Sequence, residues 1–200
     1  MTSTPRVAAA VERSELVGKA LETATRAHAG QLRKGSDGLP YIEHPVAVAE
    51  ALASNGYGDE VLAAALLHDV VEKSEIPAGA IRERFGDRVG DLVDALTEDE
   101  TIEDYEERKK EHRERVSRSG PDAIAIFAAD KLTNVAMLRE AYALIAEGVS
   151  DELEVGLDLK VYIWEMDLKM LFDELPDSAL TKKLADEMGA LWTDRSRAVP

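Results

Sequence analysis

Seven apolar residues in a row, Val61-Leu62-Ala63-Ala64-Ala65-Leu66-Leu67, run straight into His68-Asp69. Wound as a helix, the run is apolar on every side and belongs in a core, with other elements packed all round it. An imidazole and a carboxylate at the end of such a run lose hydration unless something pairs with them. Ile124-Ala125-Ile126-Phe127-Ala128-Ala129 sets the same problem again and ends in Asp130. His44, just before Pro45 at the mouth of a Gly-rich segment, adds a second imidazole. One divalent cation held by His44, His68, Asp69 and Asp130 answers both burial problems at once. Imidazole plus carboxylate suits Mn, Fe, Co or Zn, and the donor set does not choose among them.

Around these segments, Gly and Pro punctuate a mostly helical pattern. Val17, Leu21, Ala24 and His28 follow helical spacing, which predicts a first helix over Ala10 to Ala29 with His28 turned inward. Gly30 to Glu43 reads as a loop. Pro45 suits the first turn of a second helix ending near Asn55-Gly56, and Asp59 is placed to cap the third. Two short helices, Pro77 to Phe85 and Arg88 to Leu96, come next. Glu103 to Arg118 is charged nearly all round, with Glu106-Lys110, Glu111-Arg115 and Glu114-Arg118 spaced i,i+4. It reads as a solvated helix, with His112 in water. A helix from Asp122 towards Glu147-Gly148 carries Asp130. Leu153, Leu157, Val161, Trp164, Leu168, Leu171 and Leu175 then form a core stripe ended by Pro176, and Leu180, Leu184, Met188 and Leu191 mark the last helix. No segment reads as β-rich. The expected fold is all-α: one domain over residues 1–200, with the motifs in 10–148 and C-terminal helices in 151–193.

Composition limits the function. The formal net charge of −16 repels long nucleic acid. A small nucleotide can still bind if a cation and a local basic cluster reverse the field, and Arg33-Lys34 and Lys131 are candidates for that cluster. With no cysteine, thiolate metal sites, disulfides and Cys nucleophiles are excluded. The apolar stretches are too short to span a bilayer and the N-terminus lacks a signal core, so no membrane role and a cytoplasmic location are expected. Assembly into a homo-oligomer is left open by the sequence.

Asp130 and Asn134, at i and i+4, share one helical face. Asn134 is therefore placed to contact whatever a cation at Asp130 binds. Glu72 lies three residues past Asp69, one turn on if the helix continues, where it could orient or deprotonate a water. Three stretches carry a family resemblance: Ala27-His28-Ala29-Gly30-Gln31-Leu32-Arg33-Lys34, Pro40-Tyr41-Ile42-Glu43-His44-Pro45 and Leu66-Leu67-His68-Asp69-Val70-Val71-Glu72. Ala129-Asp130-Lys131-Leu132-Thr133-Asn134 extends it. Together, in this order, they resemble the hydrolase domain of RelA/SpoT proteins.

The resemblance implies an HD-superfamily helical fold and a Mn2+-dependent hydrolase that removes the 3′-pyrophosphate from guanosine tetra- and pentaphosphate. It makes His44, His68, Asp69 and Asp130 metal ligands and Glu72 a catalytic carboxylate. Arg33 and Lys34 would hold the nucleotide, with Asn134 contacting it near the ribose. The chain is similar to the small, hydrolase-only members. It departs from the family pattern at one catalytic position, where Lys73 follows Glu72 and the family usually has Asp. A cation there is expected to lower the pKa of Glu72, or else to grip a phosphate. Hydrolysis of a different nucleotide or phosphomonoester, and nucleotide sensing without turnover, are the competing readings.

Overall fold

The computed structural model describes residues 5–33, 38–146 and 157–198. The described residues form helices throughout, with a single isolated bridge between Leu32 and Pro40. In chain order these are α1 (Pro5–Arg13), α2 (Glu15–Ala27), α3 (Glu43–Ser54), α4 (Asp59–Leu67), α5 (Val70–Lys73), α6 (Ala78–Phe85), α7 (Asp87–Leu96), α8 (Tyr105–Arg118), α9 (Pro121–Ala146), α10 (Leu157–Glu174) and α11 (Ala179–Ala198). The all-α expectation holds.

Helix α4 is the centre of the fold. All seven residues of Val61–Leu67 are buried, as a run apolar on every side demands, and α2, α3, α7 and α9 surround it. The second apolar run behaves alike: Ala123 to Ala129 are buried on α9, which packs against α3, α7, α8, α10 and α11. The helix that leads into His68-Asp69 and the helix that carries Asp130 are thus both clamped from several sides.

Several boundaries follow local chemistry. Asn55 closes α3 and Gly56 follows at φ +81°, the left-handed geometry that ends many helices. Pro121 opens α9, where its missing N–H costs nothing. Asp104 caps α8 by accepting from the Glu107 N–H at 2.8 Å. Gly90 lets α6 and α7 touch: a Cβ there would stand 2.9 Å from the Arg82 Cβ.

Other boundaries differ from expectation. The first helix is two, because Ser14 is extended (φ −132°, ψ 113°) and separates α1 from α2. Gly58, not Asp59, precedes α4, while the Asp59 carboxylate takes Arg13 at 2.7 Å. The core stripe holds at Val161 and Leu171, with Trp164, Leu168 and Leu175 partly buried against the core. Leu153 lies outside the described residues. Leu180, Leu184, Met188 and Leu191 are all buried on α11. Among the described residues, no helix is long and apolar enough to cross a membrane.

Candidate metal centre

Helix α4 stops at Leu67, and His68-Asp69 form a turn before the single turn of α5. Carbonyls in the last turn of a helix lack helical partners. One of them, Ala65 O, is 2.7 Å from His68 Nδ1. A carbonyl can only accept, so Nδ1 carries the proton and Nε2 presents a lone pair. His44, near the start of α3, is fixed from the other side. Its Nδ1 is 3.3 Å from the Thr133 hydroxyl, which itself donates to Asp130 O at 2.9 Å. Thr133 Oγ1 therefore accepts from His44 Nδ1, and His44 Nε2 is likewise left bare.

These two Nε2 atoms converge with acidic oxygens. His44, His68 and Asp130 offer ligand atoms within 4.8 Å of one another. Asp130 Oδ1 lies 3.0 Å from His44 Nε2 and 3.8 Å from His68 Nε2. Asp69 Oδ2 lies 3.6 Å and 3.4 Å from the same two nitrogens. Burial is the main influence on His44 and lowers its pKa, favouring the neutral ring. Lone pairs then face carboxylate oxygens with no hydrogen between them, and His68 Nε2 is buried without a hydrogen-bond partner. Acceptors converging on acceptors are relieved by a cation, and the donor set fits a divalent metal.

The carboxylates stay ionised despite their burial. Burial alone would raise the Asp130 pKa, but the Lys131 ammonium outweighs it and holds the group well below the usual range. Asp69 is likewise held below the usual range despite its burial, with the Lys73 ammonium against its outer oxygen. Lys73 Nζ is 2.6 Å from Asp69 Oδ1, and Lys131 Nζ is 3.0 Å from Asp130 Oδ2. Tyr41 donates its phenol to Asp69 Oδ2 at 2.5 Å. Burial and the Asp69 charge raise its pKa, so the phenol keeps its proton.

Glu72 is mostly buried at the side of this cluster. Its Oε1 accepts the Glu98 N–H at 2.5 Å, and its Oε2 is 3.4 Å from Lys73. Lys73 does pull the Glu72 pKa down as expected, but it is outweighed. Burial dominates and the net shift is upward, while the ammonium sits closer to Asp69 than to Glu72. Asn134 does share a face with Asp130, and Nδ2 donates to Asp130 Oδ1 at 2.8 Å. Arg33 Nη2 in turn donates to Asn134 Oδ1 at 2.8 Å, which brings the loop cation to the rim of the site. Lys34 lies outside the described residues.

Sequence reasoning missed some members of this neighbourhood. Tyr41 and Thr133 lie inside the quoted motifs but were assigned no role; their spacing, three residues from His44 and Asp130 respectively, was the available signal. Glu98 carried none, since its contact with Glu72 joins distant segments. His28 packs inward as expected, with Nδ1 2.9 Å from Gln31 Oε1 and its ring 4.9 Å from that of Tyr41. His112 is not solvated. It is 5% exposed, stacks edge-on to Phe127 at 5.5 Å and lies 4.0 Å from Glu98. The charged helix turns one face inward, where Arg113 meets Asp167 at 2.7 Å and Lys109 pairs with Glu98.

The HD domain family matches residues 20–153. The chain is 39% identical over 135 residues to human guanosine-3′,5′-bis(diphosphate) 3′-pyrophosphohydrolase MESH1, covering 66% of this chain and 73% of that protein. It is 39% identical over 127 residues to a probable GTP pyrophosphokinase of Mycobacterium leprae, where the match takes in 62% of this chain but 16% of the longer relative. A solved metazoan ortholog of SpoT, described as hydrolyzing ppGpp, superposes with a TM-score of 0.73 at 26% identity, over 88% of this chain and 95% of that one. A Listeria monocytogenes crystal structure aligns with a TM-score of 0.65 at 31% identity, over 79% and 98%.

Proposed function

The chain belongs to the HD-domain family in its RelA/SpoT-type branch, and from that membership we propose that it is a metal-dependent phosphohydrolase of a phosphorylated nucleotide. The observation that carries the reading is the pair of imidazoles whose protons are both committed away from the site. The Ala65 carbonyl and the Thr133 hydroxyl leave two bare Nε2 atoms facing Asp69 and Asp130. His44, His68, Asp69 and Asp130 would hold the cation, with Mn2+ first among the candidates. Bound there, a divalent cation supplies Lewis acidity towards a phosphoryl oxygen and makes a nucleophilic water accessible near neutral pH.

The chain's own residues divide the remaining work. Glu72, fixed by the Glu98 N–H and with its pKa raised by burial, is suited to orient a water and take its proton. Arg33, held by Asn134 at the rim, meets the nucleotide, and Lys34 adds a second loop cation. Asn134 keeps Asp130 oriented and reaches towards the ribose. Lys73, paired with Asp69, offsets negative charge where it develops on a phosphoryl group. The substrate we favour is a guanosine 3′,5′-bis(diphosphate)-type alarmone cleaved at its 3′-pyrophosphate, as named for the human relative.

Lys73 also favours a second reading, a nucleotide-binding protein that does not turn its ligand over. Its ammonium already engages both Asp69 and Glu72. Incubation with Mn2+ and a nucleotide panel that includes alarmones and 2′- and 3′-phosphomonoesters separates the two. Release of pyrophosphate or phosphate supports the hydrolase and identifies its substrate. Saturable binding with no product across the panel refutes turnover and leaves the sensor.

A further inference from the structure

Each of the two site carboxylates gives one oxygen to a lysine. Asp69 Oδ1 meets Lys73 Nζ at 2.6 Å and Asp130 Oδ2 meets Lys131 Nζ at 3.0 Å. Their other oxygens face the imidazoles. The lysines come from different elements, α5 and α9, so the arrangement is built from two sides. Lys131 is buried, with its ammonium 4.4 Å from the centroid of the Phe127 ring. Lys73 is partly exposed and reaches the site over the Tyr41 ring, 3.4 Å from Glu72 Oε2.

Charge explains what this pairing does. Two carboxylates with all four oxygens free attract a cation strongly and repel a phosphate. An ammonium on each outer oxygen cancels that charge locally, so a divalent ion seated against the inner oxygens keeps its full double charge for an incoming anion. We infer that Lys73 and Lys131 are positioning residues that occupy the outer oxygens of Asp69 and Asp130, leaving to the cation only the inner oxygens, which Tyr41 and Asn134 orient, and so weaken the grip on the cation and strengthen the grip on a doubly charged terminal phosphate. In a chain of net charge −16, this makes the site a local exception to the surrounding field. The inference rests on the cation-ligand reading above and deepens it towards substrate class.

The test uses the full chain and does not depend on turnover. Mn2+ is titrated calorimetrically into the wild type, Lys73→Met, Lys73→Gln and Lys73→Arg, and inorganic phosphate is then titrated into each Mn2+-loaded protein. The two neutral variants should bind Mn2+ about tenfold more tightly and phosphate about tenfold more weakly, while Lys73→Arg stays within about twofold of wild type in both. Unchanged or weaker Mn2+ binding in both neutral variants overturns the inference alone, as does unchanged phosphate binding. A wild type that takes up no Mn2+ overturns the cation reading and the inference with it.

Discussion

Replacing Lys131 with Met removes a charge from a buried position while keeping a side chain of similar length to fill the space. Lys131 is 7% exposed, and its ammonium lies 3.0 Å from Asp130 Oδ2. The same charge acts on Asp167 and Glu98, and the Asp–Lys attraction outweighs burial to raise the Lys131 pKa. Breaking a buried ion pair from one side typically costs about 3–5 kcal/mol, because the partner is left buried and uncompensated. Asp130 keeps Asn134, and Asp167 keeps Arg113, so the lower end, about 3 kcal/mol, is expected. For a chain of this size that corresponds to a fall in Tm of about 6–12 °C. Saturating Mn2+ should recover part of the loss and raise the variant's Tm more than the wild type's, since the cation then meets the exposed charge of Asp130. Thermal unfolding by circular dichroism, with and without Mn2+, reads both effects. A loss below about 1 kcal/mol with equal Mn2+ responses would refute the argument that Lys131 compensates Asp130.

Glu72→Gln should retain metal but lose about 10²–10⁴ in rate on whichever nucleotide the panel identifies, and full activity would remove Glu72 from the mechanism. Arg33→Ala should weaken binding of anionic nucleotides, with the difference from wild type shrinking as salt is raised; equal affinities at low salt would exclude it. His112 gives a pH signature. Burial, helped by Lys131, depresses its folded pKa from 6.5 to about 3, so the unfolded chain takes up the proton first. Its contribution is therefore full above about pH 6.5 and is lost as pH falls towards 3, amounting to about 3 kcal/mol by about pH 4. Denaturant titrations should show a flatter decline over that window for His112→Phe, and parallel declines would contradict the burial.

The parts of this molecule readable from its sequence are those dictated by short-range pattern. An all-apolar run has one destination, so Val61–Leu67 and Ile124–Ala129 mark the central helices and carry inward His68-Asp69 and Asp130, which a shared cation would bring together. Periodicity also marked α10 and α11, whose Leu171, Leu180 and Leu184 are buried. What escaped depends on contacts distant in sequence. His112 is surrounded by charged residues along the chain, yet Phe127 and Glu98 enclose it. The position of Glu72 depends on a backbone N–H twenty-six residues away. Lys73 is instructive because its pairing was legible after all. Adjacency pointed to Glu72, but i,i+4 spacing favours Asp69, and the distances of 3.4 Å and 2.6 Å follow the helix rule. Ser14 breaks a helix that periodicity runs through, because its backbone is extended between α1 and α2.

Metal content of the purified protein tests the central claim most directly. After dialysis against Mn2+ and removal of the free ion, the wild type should hold one ion per chain. Asp69→Ala and Asp130→Ala should each lose it while remaining folded by circular dichroism. Full metal content in both folded variants would contradict a cation centre built on these residues.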